Sequence, residues 1–387
     1  MNFDNRFLYN YKEKKYNTII IILTVVILSR ISMYLLYVLG DGIIFKGKGP
    51  FFDAFNIWDA GWYRSIIENG YNTLSNIKQN GQANWAFFPL YPIIIKLIHF
   101  IIPVNINIIG TFVSTVFFIG ALIMSYLYIF ETRGNKEEGL LFAIIMSFGI
   151  YSFYFSILYT ESLYLFLLIT SLYFLNKRNY LVVGLFGALL SATRNMGVML
   201  VFAVAVQYIY DYFKFNKSIK KFFYNTLKDS NMILGVSLIP LGLFSYMAYL
   251  WNKIGDPMAF SNVQIAWAKK ISNPIYNLIN VIPSKGIVAF IYLLMWSIFA
   301  IVCIIWLIIK KRYAEGALGV IFILIPLSAG LASLPRYIIG SYVYFLAFSD
   351  MIVVLNKKFF TRLLVIGLSA SEIVLLILWF VGSNLVY

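Results

Sequence analysis

The amino-acid sequence predicts an all-α, polytopic membrane protein with about eleven transmembrane helices, and three observations carry that expectation. Of 387 residues, 61% are hydrophobic and only 12% charged, whereas soluble domains hold roughly 45–50% apolar and about 25% charged residues. The apolar residues come in runs of about 20, the length a helix needs to cross a hydrocarbon core, and not in the alternating ten-residue segments of a barrel. Lys and Arg cluster between every second pair of runs, as they do in cytoplasmic loops.

Taken in order, the runs fall at 18–40, 106–130, 138–158, 160–176, 180–193, 196–212, 231–251, 287–309, 314–332, 338–355 and 363–383. The first contains Arg30 and lacks a small-residue cleavage site, so it is expected to be a retained helix and not a signal peptide. The basic N-terminal segment (Arg6, Lys12, Lys14, Lys15) sets the N-terminus in the cytoplasm, and each inward connection then carries two or more Lys or Arg. The long connections 41–105 and 252–286 consequently face outwards, the first with short interfacial helices. Within it, "PLYPIIIKLIHFIIP" (89–103) is too short and too Pro-bounded to span, so it lies at the interface or re-enters. No tandem repeat or low-complexity tract divides the chain, which reads as one membrane domain over 1–387.

Composition also excludes several classes. The net charge of +15 sits in loop clusters, which speaks for topology and against nucleic acid as a partner. One cysteine (Cys303, inside an apolar run) and one histidine (His99) rule out a disulfide framework, a thiolate metal site and a His-based zinc site. There is no P-loop, Gly-rich dinucleotide turn or D-x-D pair, so neither metal nor cofactor is expected.

The chemistry-bearing residues gather at the outward ends. "NIWDAGWYRSIIENGYN" (56–72) reads as part of a helix over 54–69, with Asp53 as N-cap and Gly70 as its stop. On that helix Phe55, Asp59, Trp62, Tyr63 and Ile66 share a face, while Arg64 and Glu68 pair on the other. Asp59 is then a lone acid among aromatics, and a partly desolvated carboxylate is a better base. The alternative is an anchoring or capping role. In "QANWAFFPLYP" (82–92), two prolines bracket Tyr91 and stiffen an aromatic wall suited to a sugar ring, although an interfacial belt explains most of these rings equally well.

"LYTESLY" (158–164) places Glu161 at a span end, where it is either functional or complements a helix capped by Thr160. "SATRNMG" (191–197) and "SLPRYIIGSY" (333–342) each offer one outward arginine, Arg194 and Arg336. Outward arginines gain nothing from the orientation rule, and a guanidinium fork suits a phosphate. Snorkelling to headgroups is the competing account. Arg30 lies too deep to snorkel and needs a partner, either Glu161 or a ligand phosphate. "KIGDPMAFSNVQIAWAKK" (253–270) supplies Asp256 in a turn, then Gln264 and Trp267 one helical turn apart as a hydrogen-bonding and stacking surface. His99 reads as interfacial packing within reach of a phosphate.

The ordered set "WDAGWY", "FFPLYP", "YTESLY", "ATRNMG", "GDPMAF...Q..W" and "LPRY" resembles the phosphatidylinositol-glycan class V family, whose eukaryotic members are GPI mannosyltransferase II, over about residues 18–345. The resemblance implies the GT-C glycosyltransferase fold and a polyprenyl-phosphate-linked sugar donor, with Asp59 matching the acid of the first outer loop. Glu161, Arg194, Asp256 and Arg336 fall in matching motifs. The richness in Ile, Lys and Asn suits a bacterial chain, and bacteria make no GPI anchors. The implied acceptor is therefore a cell-envelope glycan, lipid or secreted protein at the outer face of the plasma membrane (the endoplasmic reticulum membrane in a eukaryote).

The expected reaction is inverting transfer of a sugar, mannose by the resemblance, with Asp59 as general base. Arg194, Arg336 and Arg30 hold the donor phosphate, and Trp58, Trp62, Tyr63, Tyr91, Glu161, Asp256, Gln264 and Trp267 line the substrate site. The main alternative is a transporter or flippase of a lipid-linked sugar, and a third is a docking partner in an envelope-synthesis complex. The absence of inverted symmetry in the sequence, and polar groups at the rim instead of the midplane, favour the enzyme.

Overall fold

The computed structural model describes residues 3–75, 81–215 and 217–383. The chain forms α1 (Phe3–Gly40), α2 (Phe51–Phe55), α3 (Ala60–Asn69), α4 (Leu90–Ile101), α5 (Ile106–Arg133), α6 (Lys136–Phe148), α7 (Glu161–Asn176), α8 (Tyr180–Ser191), α9 (Leu200–Phe213) and α10 (Ile219–Lys228). It continues through α11 (Ser230–Leu238), α12 (Leu241–Ile254), α13 (Ala259–Asn262), α14 (Pro274–Ile279), α15 (Val281–Lys285), α16 (Ile287–Ile309), α17 (Tyr313–Ala329), α18 (Leu334–Gly340), α19 (Val343–Leu355) and α20 (Lys358–Val381). Among the described residues there is no strand, so the all-helical membrane class holds.

Every one of the predicted apolar runs contains helix, but among the described residues fewer helices than eleven have membrane length. Among the described residues, six stretches are long and apolar enough to cross a bilayer: Asn17–Gly40, Ile106–Arg133, Asn195–Phe213, Ser230–Ile254, Ile287–Ile309 and Lys358–Val381. A seventh is the pair α18 and α19, bent by 69° at its break, if it counts as one span. Helices α7, α8 and α17 are apolar but shorter. The reason lies in the breaks. The segments 149–160, 192–199, 330–333 and 341–342 interrupt apolar runs with irregular or 3₁₀ backbone, and such backbone is tolerated at membrane depth only where protein or a polar cavity receives it.

α7 occupies the middle of the bundle, packed on α5 and α8, and most of its residues are buried. α8 packs in turn on α11 at a glycine contact. A Cβ on Gly235 would lie 2.2 Å from the Tyr180 carbonyl oxygen, so the two backbones approach as only glycine permits. α1 lies against α5 and α6, α19 against α6 and α16, and α17 against α9 and α16. Large apolar side chains of α1, α16 and α20, among them Leu28, Ile305 and Ile366, remain exposed, as lipid-facing surfaces require. α4 carries the predicted interfacial segment: Leu97, Phe100 and Ile101 are exposed, and its Leu90 N–H is bonded to the Ala192 carbonyl (3.1 Å).

Candidate active site

Local sequence places Asp59 differently from the expected continuous helix over 54–69. α2 ends at Phe55, the backbone turns through Trp58 in the left-handed region (φ 56°), and α3 begins after Asp59. Asn56 causes the break. Its fully buried side chain accepts from Leu158 N–H (2.5 Å) and donates to the Phe52 carbonyl (2.8 Å) and Thr111 Oγ1 (3.0 Å). A side chain that bonds the neighbouring backbone so fully competes with helix continuation.

Three further local expectations are corrected. Asp53 caps nothing; it lies inside α2 and accepts from Asn107 Nδ2 (2.6 Å). Arg64 does not pair with Glu68, because its Nη1 donates to the Asn56 carbonyl (3.0 Å) and Asn107 Oδ1 (2.8 Å). Thr160 makes no side-chain cap on α7; its Oγ1 faces Tyr63 Oη at 3.4 Å. Gly70 does stop α3, at φ 77°.

The turn leaves Asp59 nearly buried beside a charge it lacked on its own helix. Arg336 Nη1, from α18, donates to Asp59 Oδ2 at 2.7 Å, and the same guanidinium donates through Nε to Glu161 Oε1 at 2.5 Å. Glu161 is 1% exposed, and its Oε1 also accepts from Arg194 Nη2 at 2.8 Å. The result is an alternating chain of Asp59, Arg336, Glu161 and Arg194, assembled from all three helix breaks. Aromatic faces shield it. Arg336 lies over Tyr159 at 4.4 Å and Tyr154 at 5.4 Å, and Arg194 lies between Tyr164 and Tyr337 at 5.8 and 5.9 Å. Tyr159 also takes the Asp59 N–H (3.0 Å) and donates to the Ile57 carbonyl (3.2 Å), which fixes the turn from below.

Above this chain is a cavity of about 200 Å³. Asp59, Arg194 and Arg336 open into it beside Tyr63, Gln264, Trp267, Lys269 and Tyr337, with Phe87 and Phe88 on the wall. Burial pushes the Tyr63 phenol well above its usual range, so it is a hydrogen-bond donor at neutral pH. Trp62 stands one layer back, stacked on Phe87 (5.9 Å) and edge-on to Trp267 (5.7 Å). Among the described residues, no three His, Cys, Asp or Glu side chains converge as a metal set.

Several expected site residues lie elsewhere. Arg30 does not reach Glu161 or the cavity. Its Nη1 donates to Ser152 Oγ (2.9 Å) and Ser29 Oγ (3.1 Å), its Nη2 to the Ser152 carbonyl, and the guanidinium covers Phe118. Backbone at the 149–160 break thus satisfies the deep arginine. Tyr91 is fully buried and bonded to Ser114 Oγ (2.7 Å), so it packs behind Tyr63 and offers no wall. Asp256 is an exposed turn residue, accepting from Met258 N–H (2.8 Å) and Asn262 Nδ2 (2.9 Å). Trp58 is 37% exposed and is not among the residues lining the cavity.

Sequence reasoning missed Lys269, Tyr337, Tyr159 and Tyr154. Tyr337 and Tyr159 lie inside motifs already singled out, and the ring next to Arg336 could have been read there, whereas Tyr154 and Tyr159 reach Arg336 only through the fold. Lys269 gave no signal, since it reads as one of two lysines ending a loop helix. A scan against protein-family models finds no match for the chain, and a search of curated proteins finds none either.

Proposed function

We propose that the protein is a membrane glycosyltransferase that moves a sugar, mannose in the first instance, from a polyprenyl-phosphate donor to an acceptor hydroxyl at the extracytoplasmic face. The observation that carries this reading is one cavity that combines a carboxylate, Asp59, with Arg194, Arg336 and Lys269 and with aromatic walls, at the ends of apolar helices. The motif order that resembles the phosphatidylinositol-glycan class V family, and through it the GT-C fold with some eleven spans, is consistent with it.

In the proposed reaction the acceptor hydroxyl gives its proton to Asp59 while its oxygen bonds the anomeric carbon. The bond from that carbon to the phosphate oxygen breaks, and its electron pair leaves on the phosphate. The configuration inverts because attack and departure occur on opposite faces. Cations aimed at the leaving oxygen stabilise the charge that grows there, the largest contribution a preorganised site makes. A phosphate leaving group needs no general acid. Arg336 has a double part. It holds Asp59 Oδ2 through Nη1, and a phosphate arriving beside the guanidinium competes for Nη1 and frees the carboxylate to meet the acceptor hydroxyl.

The test is a single turnover with radiolabelled polyprenyl-phosphate-mannose and crude envelope acceptor, using protein in lipid nanodiscs. Wild type should move label and Asp59→Asn should not, with donor binding retained. An active Asp59→Asn variant sinks the assignment. The bent pair α18 and α19 is the one feature that favours a carrier of lipid-linked sugars instead. A carrier would move the intact donor across the bilayer and leave its glycosidic bond whole.

A further inference from the structure

We infer that Lys269 is the residue that takes the anionic group of the ligand in this cavity, and that the site accepts a single phosphate group and not a diphosphate. The inference rests on the glycosyltransferase reading for the ligand's name, but the anion site stands on geometry alone. Both arginines that the sequence offered for phosphate are already committed. Arg194 is held by Glu161, and Arg336 by Glu161 and Asp59 together. Two guanidiniums and two carboxylates cancel. Lys269 lines the same cavity, and among the described residues no carboxylate lies within ion-pair distance of it. Among the described residues that line the cavity, it is the charge left without a counter-charge. One excess positive charge suits a single phosphate group and is undersized for a diphosphate.

Lys269 is also aimed. Ala268 adopts the left-handed region (φ 55°), which turns the chain sharply after Trp267, and the Lys269 N–H bonds back to the Gln264 carbonyl (3.2 Å). The aliphatic stem then passes the end of α17 through a slot at Gly330, where an added Cβ would come within 3.2 Å of Lys269 Cγ. Gly330 has φ 154°, a backbone that side chains rarely allow, so the slot depends on glycine. Tyr337 lines the same cavity and brings a phenol hydroxyl to its wall. Lys270, its neighbour, is exposed and does not line the cavity.

An ammonium and a phenol beside two paired guanidiniums form a phosphate cradle with one mobile member. A lysine on a flexible stem can follow the phosphate as it separates from the sugar, whereas both guanidiniums are tethered to Glu161 Oε1.

The test is lipid binding by native mass spectrometry on the full chain released from detergent, with undecaprenyl phosphate, undecaprenyl diphosphate, uncharged undecaprenol and phosphatidic acid as probes. Lys269→Met should weaken undecaprenyl phosphate by about tenfold or more, the loss expected for one charge-assisted contact. Undecaprenol should bind both proteins alike, Lys269→Arg should retain most of the affinity, and Lys270→Met should match wild type. Undecaprenyl diphosphate should bind wild type no better than the monophosphate. Lys269→Met binding both phosphate lipids as wild type does overturns the inference, as does a wild type that binds neither. If phosphatidic acid binds through Lys269 and undecaprenyl phosphate does not, the anion site stands and the glycosyltransferase reading fails.

Discussion

Replacing Glu161 with glutamine tests the polar chain most directly, because it removes one charge and almost no volume. Glu161 Oε1 is the shared acceptor of Arg194 Nη2 at 2.8 Å and Arg336 Nε at 2.5 Å, and the glutamate side chain is 1% exposed. The arginine side chains are 17% and 12% exposed, so little of the interaction is screened by water. In Glu161→Gln two guanidiniums face Asp59 alone, and breaking a buried pair from one side costs about 3–5 kcal/mol. At about 2.1 cal/mol/K per residue, a chain of this length has an unfolding entropy near 0.8 kcal/mol/K, so the thermal transition should fall by about 4–6 °C. The assay is the melting transition in one detergent at one scan rate, since unfolding of such a protein is irreversible. A second variant supplies the decisive comparison. In Glu161→Gln with Arg194→Met one carboxylate again faces one guanidinium, so the double variant should melt at or above the single Glu161→Gln and well above the sum of the two losses. If Glu161→Gln melts within about 1 °C of wild type, or if the two losses simply add, the three helix breaks are not joined by this network.

Other expectations follow from the same contacts. Tyr159→Phe removes the acceptor for the Asp59 N–H and the bond to Ile57, so stability should fall by only about 1–2 kcal/mol while sugar transfer falls at least tenfold by rate measurement. Arg30→Met strips the 149–160 turn of its Ser152 bonds; the melting transition should drop, while affinity for undecaprenyl phosphate stays within about twofold, since the arginine lies outside the cavity. Asp256→Ala loses an exposed turn contact, and both transfer rate and melting should remain close to wild type, which a transfer-deficient variant would contradict. Gly197→Ala puts a Cβ within 2.4 Å of the Leu190 carbonyl oxygen, so α8 must shift, and expression or melting should suffer more than from Asp256→Ala.

Much of this protein is legible along the chain. Apolar runs of membrane length declare their helices wherever they fall, because a backbone in lipid must bond to itself and only helix length and hydropathy are needed to satisfy it. Asp59, Glu161, Arg194 and Arg336 could be singled out for a related reason: an ionisable group at a span end is costly enough to demand an explanation. The number of membrane-length helices was not legible in the same way. A hydropathy run does not reveal that residues 149–160 depart from regular helix or that the helix breaks again at 341–342, since the partners that satisfy the broken backbone come from elsewhere in the chain.

Pairing was out of reach for the same reason. Asn56 breaks the expected helix over 54–69 through a bond to Leu158, a residue 102 positions away. Asp59 meets Arg336 across 277 positions, and Arg30 turns out to serve Ser152 and not Glu161. Sequence alone determined that this is a helical membrane protein with acids and arginines at the ends of its apolar runs, because composition and period act locally. Which acid holds which arginine, and that Lys269 is left over to face the cavity, was decided only by the tertiary structure, because charge compensation depends on distances that the order of residues does not contain.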